Sequence, residues 1–259
     1  MTMHETITHE RQKKQLHIFI LLSVLFLIAI SIRLFGYYLE SLISRDGITY
    51  LELSQKWYDT NDFSQVFQGE HFWIPPMFLF CIKCLMGIGF HSEQAALILN
   101  LTAGAAIPVF GYFIALELSR SRWIAWWGAV SLCLHPVLIE LSYMIQRENL
   151  YLFFLLTSLL SFLYAQKNDH LYLMAIAGAV LVMAILTRFE AMEFLMIYPL
   201  LIVIYWIKKT HWRRNIILNI AVLVAGELLG LCMAILLLRI PISFFLTYWL
   251  RLSSLIGKF

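Results

Sequence analysis

The feature that most constrains this chain is a succession of apolar segments separated by connections of only a few residues. Each segment approaches the roughly 20 residues that cross a bilayer core as a helix. Only 14% of the residues are charged, whereas a typical soluble domain has about 25%. We therefore predict an all-α, polytopic transmembrane helix bundle with about seven to eight spans. The apolar segments cover about 16–32, 74–90, 94–116, 123–139, 149–166, 171–187, 191–207 and 215–238.

The distribution of positive charge indicates membrane orientation and argues against nucleic-acid binding. The net charge is only +3, and the basic residues concentrate in the N-terminal tail and in the loop around 208–214. Both regions are expected in the cytoplasm, because basic loops stay on that side of the membrane. We predict a cytoplasmic tail over 1–15 and a single transmembrane domain over 16–259, in a bacterial inner or plasma membrane.

Residues 36–73 form the one long polar stretch of the chain and carry six acidic against two basic side chains. An acidic loop of this kind is expected on the extracytoplasmic face. Within it, Tyr50, Leu53 and Trp57 follow helical spacing, which predicts a short helix lying at the membrane interface.

The crossing count between this loop and residue 148 contains a conflict. Residues 73 and 148 are both predicted on the extracytoplasmic side, which requires an even number of crossings, yet three apolar segments lie between them. One segment must be re-entrant or interfacial. The candidates are 74–90, which contains Lys83, and 123–139, which contains Pro136. The sequence leaves both open.

Two charged clusters interrupt the apolar pattern near the predicted extracytoplasmic face. Ionisable groups within a span cost roughly 2.5–3.5 kcal/mol at mid-helix, so they persist when they are paired, water-facing or functional. One interpretation is that Arg147–Glu190 or Arg188–Glu148 ion pairs lock a helical hairpin. The other is that the arginines hold the phosphate of a lipid-linked substrate, since the guanidinium fork matches phosphate oxygens. The clusters are Gln146-Arg147-Glu148-Asn149 and Thr187-Arg188-Phe189-Glu190.

Asp46 in the acidic loop also has two interpretations. A carboxylate above a basic cavity could accept the proton of an acceptor hydroxyl that arrives from the aqueous side. Alternatively, Asp46 precedes a helical pattern and could serve only as the N-cap of that helix.

Five short motifs, taken in their order along the chain, resemble the GT-C superfamily of membrane glycosyltransferases. The nearest relatives by this resemblance are the protein O-mannosyltransferases, the aminoarabinose transferases and the bacterial Rgt-type enzymes. The resemblance extends over roughly 15–210. The motifs are Arg45-Asp46-Gly-Ile-Thr-Tyr50, His71-Phe-Trp-Ile-Pro75-Pro76, His135-Pro136, Arg147-Glu148 and Leu186-Thr187-Arg188-Phe189-Glu190.

This resemblance implies an inverting transfer of one sugar from a polyprenyl-phosphate carrier to a hydroxyl of a lipid, glycan or protein acceptor. By the same resemblance, Asp46 would be the general base. Relatives often carry a second acidic residue where this chain has Gly47, and they usually continue for hundreds of residues. We therefore expect the N-terminal module of such an enzyme, which a second chain could complete. The expected donor-phosphate and cavity residues are Arg147, Glu148, Arg188 and Glu190, and the expected contacts to substrate or a divalent metal ion are Tyr50, Glu70 and His71.

Two other classes of function remain open from the sequence. A transporter or flippase-like carrier would use the Arg and Glu residues as a substrate pathway. A non-catalytic assembly partner would agree with the short length of the chain. Replacing Asp46 by Asn distinguishes these classes, because it should stop the chemistry of a transferase and be nearly silent in a carrier or scaffold.

Overall fold

The computed structural model describes residues 3–40, 43–67, 74–208 and 216–239. In this part of the chain the regular structure is helical, without strands, which confirms the predicted fold class. The helices are α1 (Met3–Leu39), α2 (Arg45–Thr60), α3 (Phe63–Val66), α4 (Pro76–Met86), α5 (Ser92–Ser119), α6 (Arg122–Cys133), α7 (Pro136–Tyr143), α8 (Glu148–Asn168), α9 (Leu171–Thr187), a 3-10 segment (Phe189–Glu193), α10 (Phe194–Lys208) and α11 (Ile216–Leu238).

Five helical stretches in the described residues are long and apolar enough to cross a membrane, and a bent pair, α6 with α7, makes a sixth. The predicted seven to eight spans exceed this number. Helix α9 has 17 residues, at the lower limit of what crosses a bilayer. It packs antiparallel to α8, with Ser158 Oγ donating to the Ala177 carbonyl at 2.7 Å. Counting α9, seven stretches in the described residues could cross a bilayer.

Three contacts establish which helix ends share a membrane face. At the end of α1, Tyr37 Oη donates to Glu93 at the start of α5 (3.3 Å), and Glu40 accepts from Tyr143 Oη at the end of α7 (3.0 Å). We call this the loop face, because α2 follows directly. At the opposite face, Lys167 near the end of α8 pairs with Glu117 near the end of α5 at 2.7 Å.

The short helix α4 resolves the conflict in the crossing count. Its 11 residues span about 16 Å at 1.5 Å per residue, half of a bilayer core. Lys83 Nζ donates to Asn61 Oδ1 at 2.6 Å and lies 5.0 Å from the centre of the Trp57 ring, so α4 packs on α2. Because α5 begins at the loop face, the segment 74–90 stays on that face and does not cross.

The segment 123–139 instead belongs to a bent span. Helices α6 and α7 meet at an angle of 46°. The bend comes immediately before Pro136, which has no backbone N–H and fixes its own φ, so a straight helix cannot continue through it. The chain still crosses from the far face to the loop face between Arg122 and Tyr143.

The close packing of α11 against α9 depends on small residues. A Cβ added at Gly226 would collide with the Ala175 carbonyl oxygen, and one at Gly230 would lie 2.8 Å from the Ala179 carbonyl oxygen. The spacing of the two glycines on α11 therefore serves backbone contact with α9, as small-xxx-small faces do in membranes.

The loop helices pack onto the bundle as one unit. Trp57 is 1% exposed, and its ring meets those of Phe63 and Phe67 edge-to-face at 5.6 and 5.3 Å. The buried face of α2 includes Tyr50, Leu53 and Trp57, which confirms the helix predicted from their spacing. This packing holds the start of α2 over the junction between α7 and α8.

Candidate functional site

The start of α2 is attached to the turn between α7 and α8 by a set of hydrogen bonds through Ser44. The Ser44 hydroxyl accepts from the Gly47 N–H (2.9 Å) and from Gln146 Nε2 (2.7 Å), and it donates to the Met144 carbonyl (3.0 Å). The Ser44 N–H also donates to that carbonyl at 3.3 Å. Residues about 100 positions apart in sequence are thus joined at the loop face.

Asp46 does not cap its helix. Ser44 is the N-cap of α2, so the alternative interpretation of Asp46 as a cap is wrong. Asp46 lies in the first turn, where a carboxylate is favoured by the helix dipole, and its side chain is exposed. Within the described ranges, Asp46 has neither a hydrogen bond nor an ion pair, which leaves its carboxylate available to a substrate.

Gly47 is a close-approach position. A Cβ there would lie 2.9 Å from the Met144 carbonyl oxygen and 3.0 Å from both Ile43 Cγ2 and Ser44 Oγ. The carbonyl belongs to the backbone and cannot rotate away. The second acidic residue of many relatives therefore could not be accommodated here without moving α2 away from the α7–α8 turn.

We expect Gly47→Ala to lower the free energy of unfolding in detergent by about 1–3 kcal/mol, because the added methyl group overpacks the contact. The melting temperature should fall accordingly. Gly128→Ala is the matched control, because its Cβ would meet only Ala115 Cβ at 3.7 Å. That substitution should be neutral or stabilise α6 by up to about 1 kcal/mol. Equal melting temperatures for the two variants would contradict the close approach at Gly47.

Tyr50 and Arg147 form the next part of the site. The Arg147 guanidinium carbon lies 5.9 Å from the centre of the Tyr50 ring, and that ring is 5.5 Å from Phe78, edge-to-face. Burial raises the pKa of the Tyr50 hydroxyl, the charges of Asp46 and Glu148 act in the same direction, and Arg147 and Arg188 oppose them. Four predicted site residues are therefore close enough to influence the Tyr50 hydroxyl.

Arg147 is the arginine of this site that has no carboxylate partner among the described residues. Among the described residues it forms no ion pair, and its buried Nε has no hydrogen-bond partner. Arginine is charged at any relevant pH and presents five N–H donors in a rigid fork. The predicted Arg147–Glu190 ion pair is absent from the described pairs, so no carboxylate among them neutralises the Arg147 guanidinium.

Arg188 has two carboxylate partners. Its Nη1 lies 3.0 Å from Glu148 Oε1 and its Nε lies 3.1 Å from Glu190 Oε1, and the guanidinium is 6.0 Å from the Tyr151 ring centre. The Arg188–Glu148 pair joins the end of α9 to the start of α8, which confirms this predicted lock of the hairpin. The two predicted charged clusters thus meet at the loop face.

We define the loop-face site as Asp46, Tyr50, Arg147, Glu148, Arg188 and Glu190. The other two predicted contacts, Glu70 and His71, lie outside the described residues. In the part of the chain that the structure describes, no three His, Cys, Asp or Glu side chains are grouped to hold a metal ion. The described site therefore contains two arginines and three carboxylates around a tyrosine, with two Arg–carboxylate ion pairs and an exposed carboxylate at Asp46.

An apolar groove has Phe189, the residue after Arg188 in the chain, in its lining. It has a volume of about 290 Å³ and lies between α9, the 3-10 segment, α10 and α11. Its lining is apolar apart from Glu227 at the middle of α11, and it includes Leu186, Phe189, Leu195 and Leu228. Phe189 follows Arg188 directly, so one end of the groove adjoins the loop-face site.

Ser44 and Tyr151 contact the site but were not predicted from the sequence, and Gln146 was predicted only as a member of a charged cluster. Ser44 carried a usable signal, because a serine immediately before a helical pattern is a preferred N-cap. Tyr151 is three residues after Glu148 on the same helix face. Nothing in the sequence pairs Gln146 with Ser44, since they are 102 residues apart.

A family model described as dolichyl-phosphate-mannose-protein mannosyltransferase matches residues 74–238. The matched range contains Arg147, Glu148, Arg188 and Glu190, whereas α2 with Asp46 and Tyr50 precedes it. No curated protein matches the chain.

Proposed function

Because this chain belongs to the family of dolichyl-phosphate-mannose-protein mannosyltransferases and is a membrane glycosyltransferase of the GT-C type, we propose that it transfers a sugar from a polyprenyl-phosphate-linked donor. The acceptor is a hydroxyl that arrives at the loop face, which is the extracytoplasmic side. One observation carries this proposal. The loop-face site combines a free carboxylate, an arginine with unused donors and the end of an apolar groove.

Each part of the site has a role in this reaction. Asp46 accepts the proton of the acceptor hydroxyl as its oxygen attacks the anomeric carbon of the sugar. The bond between that carbon and the phosphate oxygen breaks, and the polyprenyl phosphate leaves with the electron pair. Attack from the side opposite the leaving group inverts the anomeric configuration. Arg147 stabilises the developing phosphate charge in a site partly shielded from water.

In this proposal the role of Arg188, Glu148 and Glu190 is to fix the shape of the loop-face site. The two carboxylates already occupy the Arg188 guanidinium, so its remaining capacity for phosphate is smaller than that of Arg147. Their mutual ion pairs hold the ends of α8 and α9 together beneath the donor. Tyr50, packed between Phe78 and Arg147, supports the Arg147 guanidinium on the side of α2.

The groove beside Arg188 accepts the first isoprene units of the donor. Its apolar lining suits a hydrocarbon chain, and its end next to Phe189 brings the phosphate to the loop-face site. A polyprenyl chain in this position remains in contact with the bilayer, so the donor can arrive from the lipid phase without crossing the aqueous loop.

The proposed activity is tested by supplying the purified chain in lipid with labelled polyprenyl-phosphate sugars and candidate acceptors. We expect the release of free polyprenyl phosphate that depends on the acceptor. Donor binding without release would indicate that a second chain is needed for turnover. Absence of both binding and release across pentose and hexose donors would overturn the proposal in favour of a carrier or an assembly partner.

We expect Leu228→Trp to raise the KM for a long-chain donor about tenfold. An indole in the groove would displace roughly two methylene groups of the donor at about 0.8 kcal/mol each. The KM for a donor with a single isoprene unit should change less. Leu229→Trp is the matched control, because Leu229 is 57% exposed against 58% for Leu228 but does not line the groove. Identical KM values in both variants would exclude this groove as the donor site.

A further inference from the structure

Arg33 is a fully buried cation in a membrane-spanning helix. It is 0% exposed and lies six residues before the end of α1. Its Nε donates to Ser142 Oγ at 3.1 Å and its Nη1 donates to the Ala29 carbonyl of its own helix at 3.0 Å. Within the described ranges Arg33 has no acidic partner, and Nη2 makes no hydrogen bond. A buried arginine without an acidic partner lowers the stability of the fold, so its presence here needs an explanation other than stability.

The hydrogen bonds of Arg33 connect three helices. Ser142 in α7 accepts from Arg33 and from Asn149 Nδ2 in α8 (2.7 Å), and its hydroxyl proton is donated to the Leu138 carbonyl at 2.8 Å. Both lone pairs and the proton of the Ser142 hydroxyl are thus used. Ser142 and Asn149 are themselves fully buried, so these hydrogen bonds are shielded from bulk water.

A fourth helix, α5, closes the cluster through Gly104. A Cβ at this position would lie 2.6 Å from Ser142 Oγ, 2.9 Å from Arg33 Nε and 3.1 Å from Asn149 Nδ2. The absence of a side chain at Gly104 lets the backbone of α5 approach all three polar groups. Arg33, Ser142, Asn149 and Gly104 together form what we call the Arg33 cluster.

The Arg33 cluster lies at the base of the turn that carries Arg147. Ser142 is near the last residue of α7 and Asn149 is the second residue of α8. Between them, Ile145 adopts a φ of 55°, a left-handed conformation that is strained for a β-branched residue. A strained turn persists only when its surroundings hold it in place. Ser44 holds this turn from the loop side, and the Arg33 cluster holds its two ends from the membrane side.

We propose that Arg33 is a positioning residue for the α7–α8 turn. Through Ser142 and Asn149 it fixes the turn so that the Arg147 guanidinium stays beside Tyr50 and Glu148 stays beside Arg188. This inference rests on the proposed function for its effect on catalysis. Its effect on the turn itself is independent of any substrate. Arg33 contacts neither donor nor acceptor and acts only through the turn.

The first test compares Arg33→Met and Arg33→Lys in hydrogen exchange of the full chain in lipid. Methionine keeps the aliphatic packing and removes the donors, whereas lysine can still donate to Ser142 Oγ. We expect Arg33→Met to speed the exchange of two amides that flank the turn about tenfold, with lysine restoring most of the protection and α9 and α11 unchanged. These are the N–H groups of Met144 and Tyr151, which donate to the Glu140 and Arg147 carbonyls at 3.1 and 3.0 Å. Unchanged exchange of the Met144 and Tyr151 amides in Arg33→Met would overturn the inference, whatever the outcome for activity.

The second test measures sugar transfer by the same variants. A displacement of the reacting groups by about 1 Å lowers the rate about 100-fold, so we expect a fall in kcat of roughly 10- to 100-fold in Arg33→Met. Its melting temperature should be equal to or above that of the wild type, because an unpaired buried charge is removed. Loss of activity that merely follows loss of folded protein would assign Arg33 a structural role and contradict the proposal.

Ser142→Ala tests the link between Arg33 and the turn. It should lower kcat as much as Arg33→Met does. The double variant should have the same kcat as either single variant, because each of the three removes the same connection, the Arg33–Ser142 hydrogen bond. Ser161→Ala is the matched control, since Ser161 Oγ makes only the equivalent bond to the carbonyl four residues earlier, at 2.8 Å. Additive effects of Arg33→Met and Ser142→Ala on kcat would contradict the connection. A wild type that exchanges as expected but transfers no sugar would refute the proposed function alone.

Discussion

Asp46→Asn should abolish sugar transfer while the protein still folds and still binds the donor. A general base contributes about 10²- to 10⁴-fold to a rate, and asparagine has nearly the shape of aspartate but cannot accept the proton. Because Asp46 is exposed and has no hydrogen bond within the described residues, its replacement should change stability by no more than about 0.5–1 kcal/mol. The measurement is the single-turnover release of labelled polyprenyl phosphate.

Asp59→Asn is the control for this experiment. Asp59 is also an exposed carboxylate of α2, but it accepts a hydrogen bond from Gln55 at 3.0 Å, and it lies near the end of the helix away from the loop-face site. We expect wild-type rates from Asp59→Asn. If Asp46→Asn retained a rate within about threefold of the wild type, the proton would be taken by another group and Asp46 would not be the base.

Arg147→Met should weaken donor binding about 10- to 150-fold. A hydrogen bond to a charged group contributes about 1.5–3 kcal/mol net, and each 1.4 kcal/mol is a factor of ten in affinity. The substitution leaves no carboxylate unpaired in the described structure, because Arg147 forms no ion pair there, so folding should be preserved. Equilibrium binding of a labelled donor to the Asp46→Asn protein, with and without Arg147→Met, measures the effect without turnover.

Two further variants test whether donor binding depends on the guanidinium group and on its position. Arg147→Lys keeps a positive charge but loses the two-pronged geometry, so it should recover only part of the affinity. Arg122→Met removes an exposed arginine at the opposite membrane face and should bind donor as the wild type does. Donor affinity that is unchanged in Arg147→Met would move the phosphate site to Arg188 or to a residue outside the described ranges.

The parts of this structure that the sequence predicted are those that depend on neighbouring residues. The α2 helix was predicted because Tyr50, Leu53 and Trp57 recur at helical spacing, and all three are buried on one face. The charged clusters were predicted at the same membrane face because a short turn, near Asp169, connects α8 to α9. That antiparallel arrangement allowed both Arg188–Glu148 and Arg147–Glu190, and the structure contains the first of these pairs.

The sequence was less informative where two alternatives had the same local pattern. An apolar segment of about 17 residues was equally compatible with a bent span and with a helix that stays at one face. Helix α4 ends after Met86 and packs on α2, whereas the segment around Pro136 continues across the membrane with a bend. Likewise, Asp46 was a plausible N-cap from the sequence, but Ser44 caps the helix, because its hydroxyl accepts from the Gly47 N–H.

The sequence by itself therefore determined that this is an all-helical membrane protein, where most of its apolar segments lie and which charged residues reach the loop face. These properties follow from hydropathy and from helical spacing, which are local. Only the tertiary structure decided that Arg188 is paired while Arg147 has free donors, that Gly47 lies against a carbonyl and that Arg33 is buried beneath the site. Arg33 and Ser142 are 109 residues apart, and a contact of that kind depends on how several helices pack together at once.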